Sequence, residues 1–211
     1  MTEVHGPGVH FSYETVGDGF PLVLTPGAPG IWEPYMPLLG ELCRTITYVG
    51  HDLGDVPSPE RHPPSRRAAE TLGIFLDMLG LDRVYIASQA VHWSMALHFA
   101  LHCPGRLEGL LLVGMSDGAM HELDEVMSFG AHLPTIAVPT LVVIEAPSSA
   151  ALPYADLLAE RLPRCTRLII ADATSVALSH RPTLRLGHAM MRFLLHCERQ
   201  RTLVRGASFL L

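Results

Sequence analysis

The feature that most limits what this chain can fold into is its alternation of short apolar, β-prone runs with longer stretches of helical periodicity, glycine or proline marking the boundaries. Residues 9–16 alternate as a strand and end at Gly17-Asp18-Gly19; residues 21–25 form a short buried strand that runs into Pro26-Gly27-Ala28-Pro29-Gly30. A helix is expected over 33–43 and a strand over 45–49, followed by a loop rich in proline (Pro57, Pro59, Pro63, Pro64). The next helix covers 65–79, with Ser65 as N-cap and Gly80 just past its end. A strand at 83–87, a helix at 91–102 stopped by Pro104-Gly105, and a strand at 107–113 follow. Beyond a partly helical excursion at 117–131 come a strand at 139–144, a helix at 153–162, a strand at 167–171 and a closing helix at 182–199. Strands separated by helices require crossover connections. The expectation is therefore an α/β chain: a doubly wound, mostly parallel sheet flanked by helices.

Length and composition limit the function classes. At 211 residues the chain suits a single domain, 1–211, able to bury about 70% of its unfolded surface. Charged residues make up only 17%, against about 25% in ordinary soluble proteins, and 48% are hydrophobic. Such a balance points to a large core, an apolar pocket or a self-association face. The longest apolar runs fall far short of the ~20 residues that span a bilayer, so no membrane partner is expected. A net charge of −6 argues against nucleic acid. The first six residues lack the features of a signal peptide, and Cys43, Cys103, Cys165 and Cys197 are scattered, so free thiols and a cytoplasmic location are expected. All 15 basic residues are arginine, which excludes a Schiff-base lysine.

Several stretches, taken in order, resemble the α/β-hydrolase superfamily along nearly the whole chain. They are Gly8-Val9-His10-Phe11-Ser12-Tyr13-Glu14, Pro21-Leu22-Val23-Leu24-Thr25-Pro26-Gly27, Gly80-Leu81-Asp82-Arg83-Val84, His102-Cys103-Pro104-Gly105-Arg106-Leu107 and Val138-Pro139-Thr140-Leu141-Val142-Val143. The resemblance implies the α/β-hydrolase fold, with the family's cap reduced to about residues 116–134. It also implies a Gly-x-Ser-x-Gly elbow between the strand at 83–87 and the following helix. The corresponding residues here are Ser88-Gln89-Ala90-Val91-His92. Ala90 stands at the nucleophile position, and Ser88 and His92 replace both glycines. The family's acid position reads Ser148 and its base position Ser175, with no histidine within four positions of the latter. On this reading the Ser–Asp–His relay is absent and the chain is a degenerate member.

What the resemblance leaves is an oxyanion pocket and its surroundings. Backbone N–H groups of Ala28 and Val91 correspond to the family's oxyanion donors. His51 and Asp52 follow the strand at 45–49, His92 and Trp93 open the helix beyond Ala90, and Trp32 and Tyr35 lie just past the glycine-rich turn. Asp117 follows the strand at 107–113. Imidazoles titrate near neutrality, so His51 and His92, with Asp117, are the catalytic candidates. Ala28, Val91, Ala90, Trp32, Tyr35, Trp93 and Asp52 are the substrate-binding ones. Each also has a plainer reading, as a structural histidine or as core packing. His98 and His102 share a helix face without a third ligand, so neither a metal nor another cofactor is expected. Arg181, Arg185, Arg192, Arg199, Arg201 and Arg205 suit a solvated face or ion pairs.

Three functions remain open. The first is a non-hydrolytic lyase, isomerase or cyclase acting on an apolar carbonyl-bearing small molecule, as in polyketide or other secondary metabolism. The second is a catalytically inactive binder of a ligand or partner chain. The third is a hydrolase with relocated groups, such as Ser88 or Ser94 with His92 or His51. The reduced cap and low charge also make a homodimer plausible.

Overall fold

The structure is a computed structural model that describes residues 1–6, 9–26, 30–52, 64–114, 125–145, 152–170 and 184–207. Its strands are β1 (Thr2–Gly6), β2 (Val9–Val16), β3 (Phe20–Leu24), β4 (Cys43–Asp52), β5 (Val84–Gln89), β6 (Leu107–Gly114), β7 (Thr140–Glu145) and β8 (Cys165–Ile170). They form one sheet in the order β1-β2-β4-β3-β5-β6-β7-β8. The β1–β2 and β2–β4 pairs are antiparallel and every other pair is parallel.

Helices α1 (Met36–Gly40), α2 (Pro64–Met78), α3 (Trp93–His102), α4 (Leu152–Arg161) and α5 (Leu184–Ala207) cover the two faces. Period-2 alternation decides which side chain meets which helix. Val84 and Ile86 of β5 enter a core shared with α2, α3 and α4, whereas Tyr85 and Ala87 enter one shared with α1 and α5. Both faces are covered, so the central strands read as continuous apolar runs. No described helix is long and apolar enough to cross a membrane.

Several boundaries differ from expectation for local reasons. The helix expected over 33–43 is five residues long, because Tyr35 and Met36 both donate to the Trp32 carbonyl in a turn and β4 already begins at Cys43. β1 was not foreseen. Its residues are mostly exposed, so it forms by backbone pairing with β2 rather than by burial. Ser65 is not an N-cap: Pro64 opens α2, where its missing N–H costs nothing, and Ser65 Oγ donates instead to Glu125 Oε1 at 2.6 Å. Gly80 does end α2, at φ +62°. Leu81 N–H returns to Leu76 O at 2.9 Å and Gly80 N–H to Asp77 O at 3.0 Å, which is the Schellman pattern.

The basic closing helix is partly neutralised. Arg201 reaches Glu108 at 3.4 Å and Glu198 at 2.6 Å, and Arg83 reaches Glu108 at 3.1 Å. The buried Tyr85 hydroxyl donates to Glu198 Oε1 at 2.8 Å, tying α5 to β5. Replacing Glu198 by Ala strands that hydroxyl and should cost about 1–3 kcal/mol. Gly80→Ala places a Cβ in the left-handed region and should cost about 1–2 kcal/mol. Urea unfolding should show both as lower midpoints at unchanged slope.

Candidate active site

In a doubly wound sheet, ligands bind beyond the carboxyl ends of the strands. At that edge β5 is decisive, since all six of its residues are buried. Gln89 is still extended (φ −79°, ψ 162°) and passes directly into a 3-10 turn over Ala90–His92, which feeds α3. The residue at the bend is Ala90, 1% exposed. Ser88 points inward: it is fully buried, accepts from Thr25 Oγ1 at 3.3 Å and donates to Gln89 O at 3.3 Å. Ser94 is buried within α3. Neither serine lines the cavities beside the bend.

Two cavities open there and share Pro26 and Tyr48. One, of about 380 Å³, is lined by Val9, Tyr48, Gly50, Arg67, Met95 and His92 among others. The other, of about 250 Å³, is lined by Thr25, Gly30, Trp32, Met36, Thr47 and Val49 among others. Burial lowers the pKa of His92, so its imidazole is neutral and able to accept a proton near pH 7. The Tyr48 phenol is pushed up by burial and stays protonated. The side-chain amide of Gln89, one residue before the bend, is buried with Nε2 unpaired among the described residues.

The remaining candidates separate. Trp32 is a wall residue and a staple: its indole N–H donates to Thr25 O at 2.8 Å and fixes the end of β3. Tyr35 is buried against α1 and α5, next to Gly187, where an added Cβ would sit 2.7 Å from Leu38 and 3.4 Å from Tyr35. Trp93, expected at the pocket, is 0% exposed in the core beneath α3, its Nε1 unpaired among the described residues. Val91 is half-buried in the turn. His51 and Asp52 are the last two residues of β4, opposite His10 and Val9 of β2. Ala28 and Asp117, and the Ser148 and Ser175 positions, lie outside the described residues.

The structure thus brings His92 near the bend and puts Trp32 on the neighbouring wall. Sequence reasoning missed Tyr48, Thr25, Arg67 and Met95 as lining residues. Tyr48 was within reach, since it alternates with Ile46 on the inward side of β4.

No protein-family model matches the chain. Among curated proteins, 2-hydroxy-6-oxo-2,4-heptadienoate hydrolase of Pseudomonas putida is 31% identical over 140 residues, covering 61% of this chain and 50% of that protein. A soluble epoxide hydrolase of a Corynebacterium species is 29% identical over 114 residues, covering 53% and 40%. The chain therefore spans half or less of the length of these curated relatives. Among solved structures, a meta-cleavage product hydrolase from Pseudomonas fluorescens superposes with a TM-score of 0.72 at 14% identity, over 93% of this chain and 98% of that one. The enol-lactonase from Burkholderia xenovorans gives 0.70 at 14% identity, over 92% and 100%. The fold is that of the α/β-hydrolases.

The relatives named above are hydrolases by name. Trp32→Phe keeps the ring but leaves the Thr25 carbonyl without its donor. It should lower stability by about 1–2 kcal/mol, read from the urea midpoint.

Proposed function

We propose that this chain is an enzyme that polarises a carbonyl and moves a proton without forming a covalent intermediate: a lyase, isomerase or cyclase acting on an apolar, carbonyl-bearing small molecule. The observation that carries the reading is Ala90 at the β5–α3 bend, buried, with the neutral imidazole of His92 on the nearby cavity wall. A methyl group cannot attack a carbonyl, so acceleration has to come from positioning, electrostatics and acid–base work.

Each group has a role in this reading. His92 accepts a proton from a carbon or hydroxyl next to the substrate carbonyl. The backbone N–H of Val91 and the Gln89 amide, its Nε2 unpaired among the described residues, hold the developing oxyanion. Val9, Tyr48 and Met95 supply an apolar wall. The thiols are poor substitutes for a nucleophile: burial pushes Cys43 up to about 12 and Cys165 and Cys197 to about 11, which keeps all three protonated.

A second reading is favoured by the names of the relatives, which are hydrolases. Here His92 would activate water to attack the carbonyl directly. Product analysis in ¹⁸O-labelled water separates the two, because hydrolysis cleaves the substrate and leaves the label in a new carboxyl group, whereas isomerisation or cyclisation makes no such group.

Two outcomes are expected. A serine-directed fluorophosphonate should leave the chain unlabelled, and activated esters should not give a burst; stoichiometric labelling of any serine would overturn both readings. With a turned-over substrate, the rate should rise with pH through an apparent pKa below the ordinary histidine value of about 6.5. His92→Asn should remove that limb and lower kcat by roughly 100-fold or more. The same shift acts on stability. The unfolded chain binds the proton more readily, so His92 lowers stability as pH falls below about 6.5, and His92→Asn should reduce that loss.

A further inference from the structure

Apart from the cavities beside the bend, the N-terminal hairpin carries a second cluster of titratable groups. Antiparallel register sets His5 of β1 opposite His10 of β2, and Glu3, two residues along β1, shares the face of His5. The two imidazoles stack, their centroids 4.5 Å apart and their planes 7° from parallel. One carboxylate oxygen, Glu3 Oε2, lies 3.6 Å from His10 Nε2 and 3.9 Å from His5 Nε2. All three donor atoms fall within 4.8 Å of one another.

That convergence has a chemical meaning. A carboxylate oxygen and two imidazole nitrogens are all metal-ligand atoms, and a cation held between them would engage all three at once. Bonds of about 2.0–2.1 Å to a tetrahedral ion put neighbouring ligand atoms about 3.3–3.4 Å apart, with the ion near the plane of each imidazole, so Glu3 closes on the histidines by a few tenths of an ångström and the exposed His5 ring turns out of the stack to meet the ion. Imidazole and carboxylate donors suit zinc, nickel or copper rather than calcium or magnesium. His10 is the anchored ligand, with a side chain 20% exposed, while Glu3 and His5 are 61% and 67% exposed and free to adjust.

We propose that Glu3, His5 and His10 form a site for a divalent transition-metal ion, with water as the fourth ligand. Such an ion cross-links the edge strand β1, which has little buried apolar surface of its own, to the rest of the sheet. The proposal departs from the expectation of no metal, which weighed His98 and His102. There, His98 Nε2 faces Glu125 at 3.2 Å and His102 Nδ1 faces the His98 carbonyl at 2.8 Å, so those rings do not converge.

The test is calorimetric titration of the chelator-treated full chain with zinc chloride at pH 7.5, monitored alongside thermal unfolding. The expected result is a saturable zinc site that raises the unfolding midpoint. His5→Ala and Glu3→Gln alter exposed side chains, so the chain should stay folded by circular dichroism. Each should weaken that site by roughly tenfold or more and reduce the shift in midpoint at a fixed zinc concentration. A double His98→Ala, His102→Ala variant should bind as the parent does. Absence of saturable binding at millimolar zinc would overturn the proposal, as would undiminished affinity in both hairpin variants.

Discussion

Strand β5 is the constraint around which the rest is arranged. It lies between two parallel neighbours, β3 and β6, with every side chain buried. Alternate residues are committed to two separate cores: Val84 and Ile86 to one, Tyr85 and Ala87 to the other. Thr25 N–H, donating to the Ala87 carbonyl at 2.9 Å, extends the ladder to the last turn before the bend. Nothing along β5 before its last residue, Gln89, is available for chemistry. Function can begin only where the chain leaves the sheet, at Gln89 and the bend that follows it.

At that point this chain offers a methyl group, a turn of backbone N–H donors and, two residues later, an imidazole kept neutral by its surroundings. The serines nearest the bend are occupied inside the fold: Ser88 belongs to a chain of hydroxyl hydrogen bonds joining β3 and β5, and Ser94 is packed within α3. The α/β-hydrolase fold is therefore retained at the level of strand order, while the residue at the bend after β5 is an alanine, whose methyl group offers no nucleophile.

How much of this was legible in the sequence depended on the range of the forces involved. Local signals carried the alternation of strands and helices, and Gly80 as a helix terminator, because apolar periodicity and left-handed glycine are properties of neighbouring residues. The failures had non-local causes. β1 has no pattern of its own and exists only as a partner of β2. Ser65 has the chemistry of a cap but found Glu125, 60 residues away, a better acceptor. Trp93 looked like a pocket residue beside His92, yet helical rotation turns it into the core while His92 remains at a cavity wall. The hairpin cluster was invisible to spacing rules because strand pairing, not sequence separation, brings Glu3 and His5 to His10.

Gly187 draws out one last consequence. Helix α5 follows β8, so its first turns lie at the carboxyl edge of the sheet, and Gly187 is where it touches Leu38 and Tyr35 of the α1 region. With no side chain to spare, the distance between the two helices is set by backbone against aromatic ring. Added bulk at 187 would meet the end of the Leu38 side chain at 2.7 Å and the Tyr35 ring at 3.4 Å, so it is absorbed by Leu38 turning aside or by α5 moving outward. A single small residue thus acts as a steric gauge for the rim of the crevice, and evolution or design could widen that rim from behind without touching any group that meets a ligand.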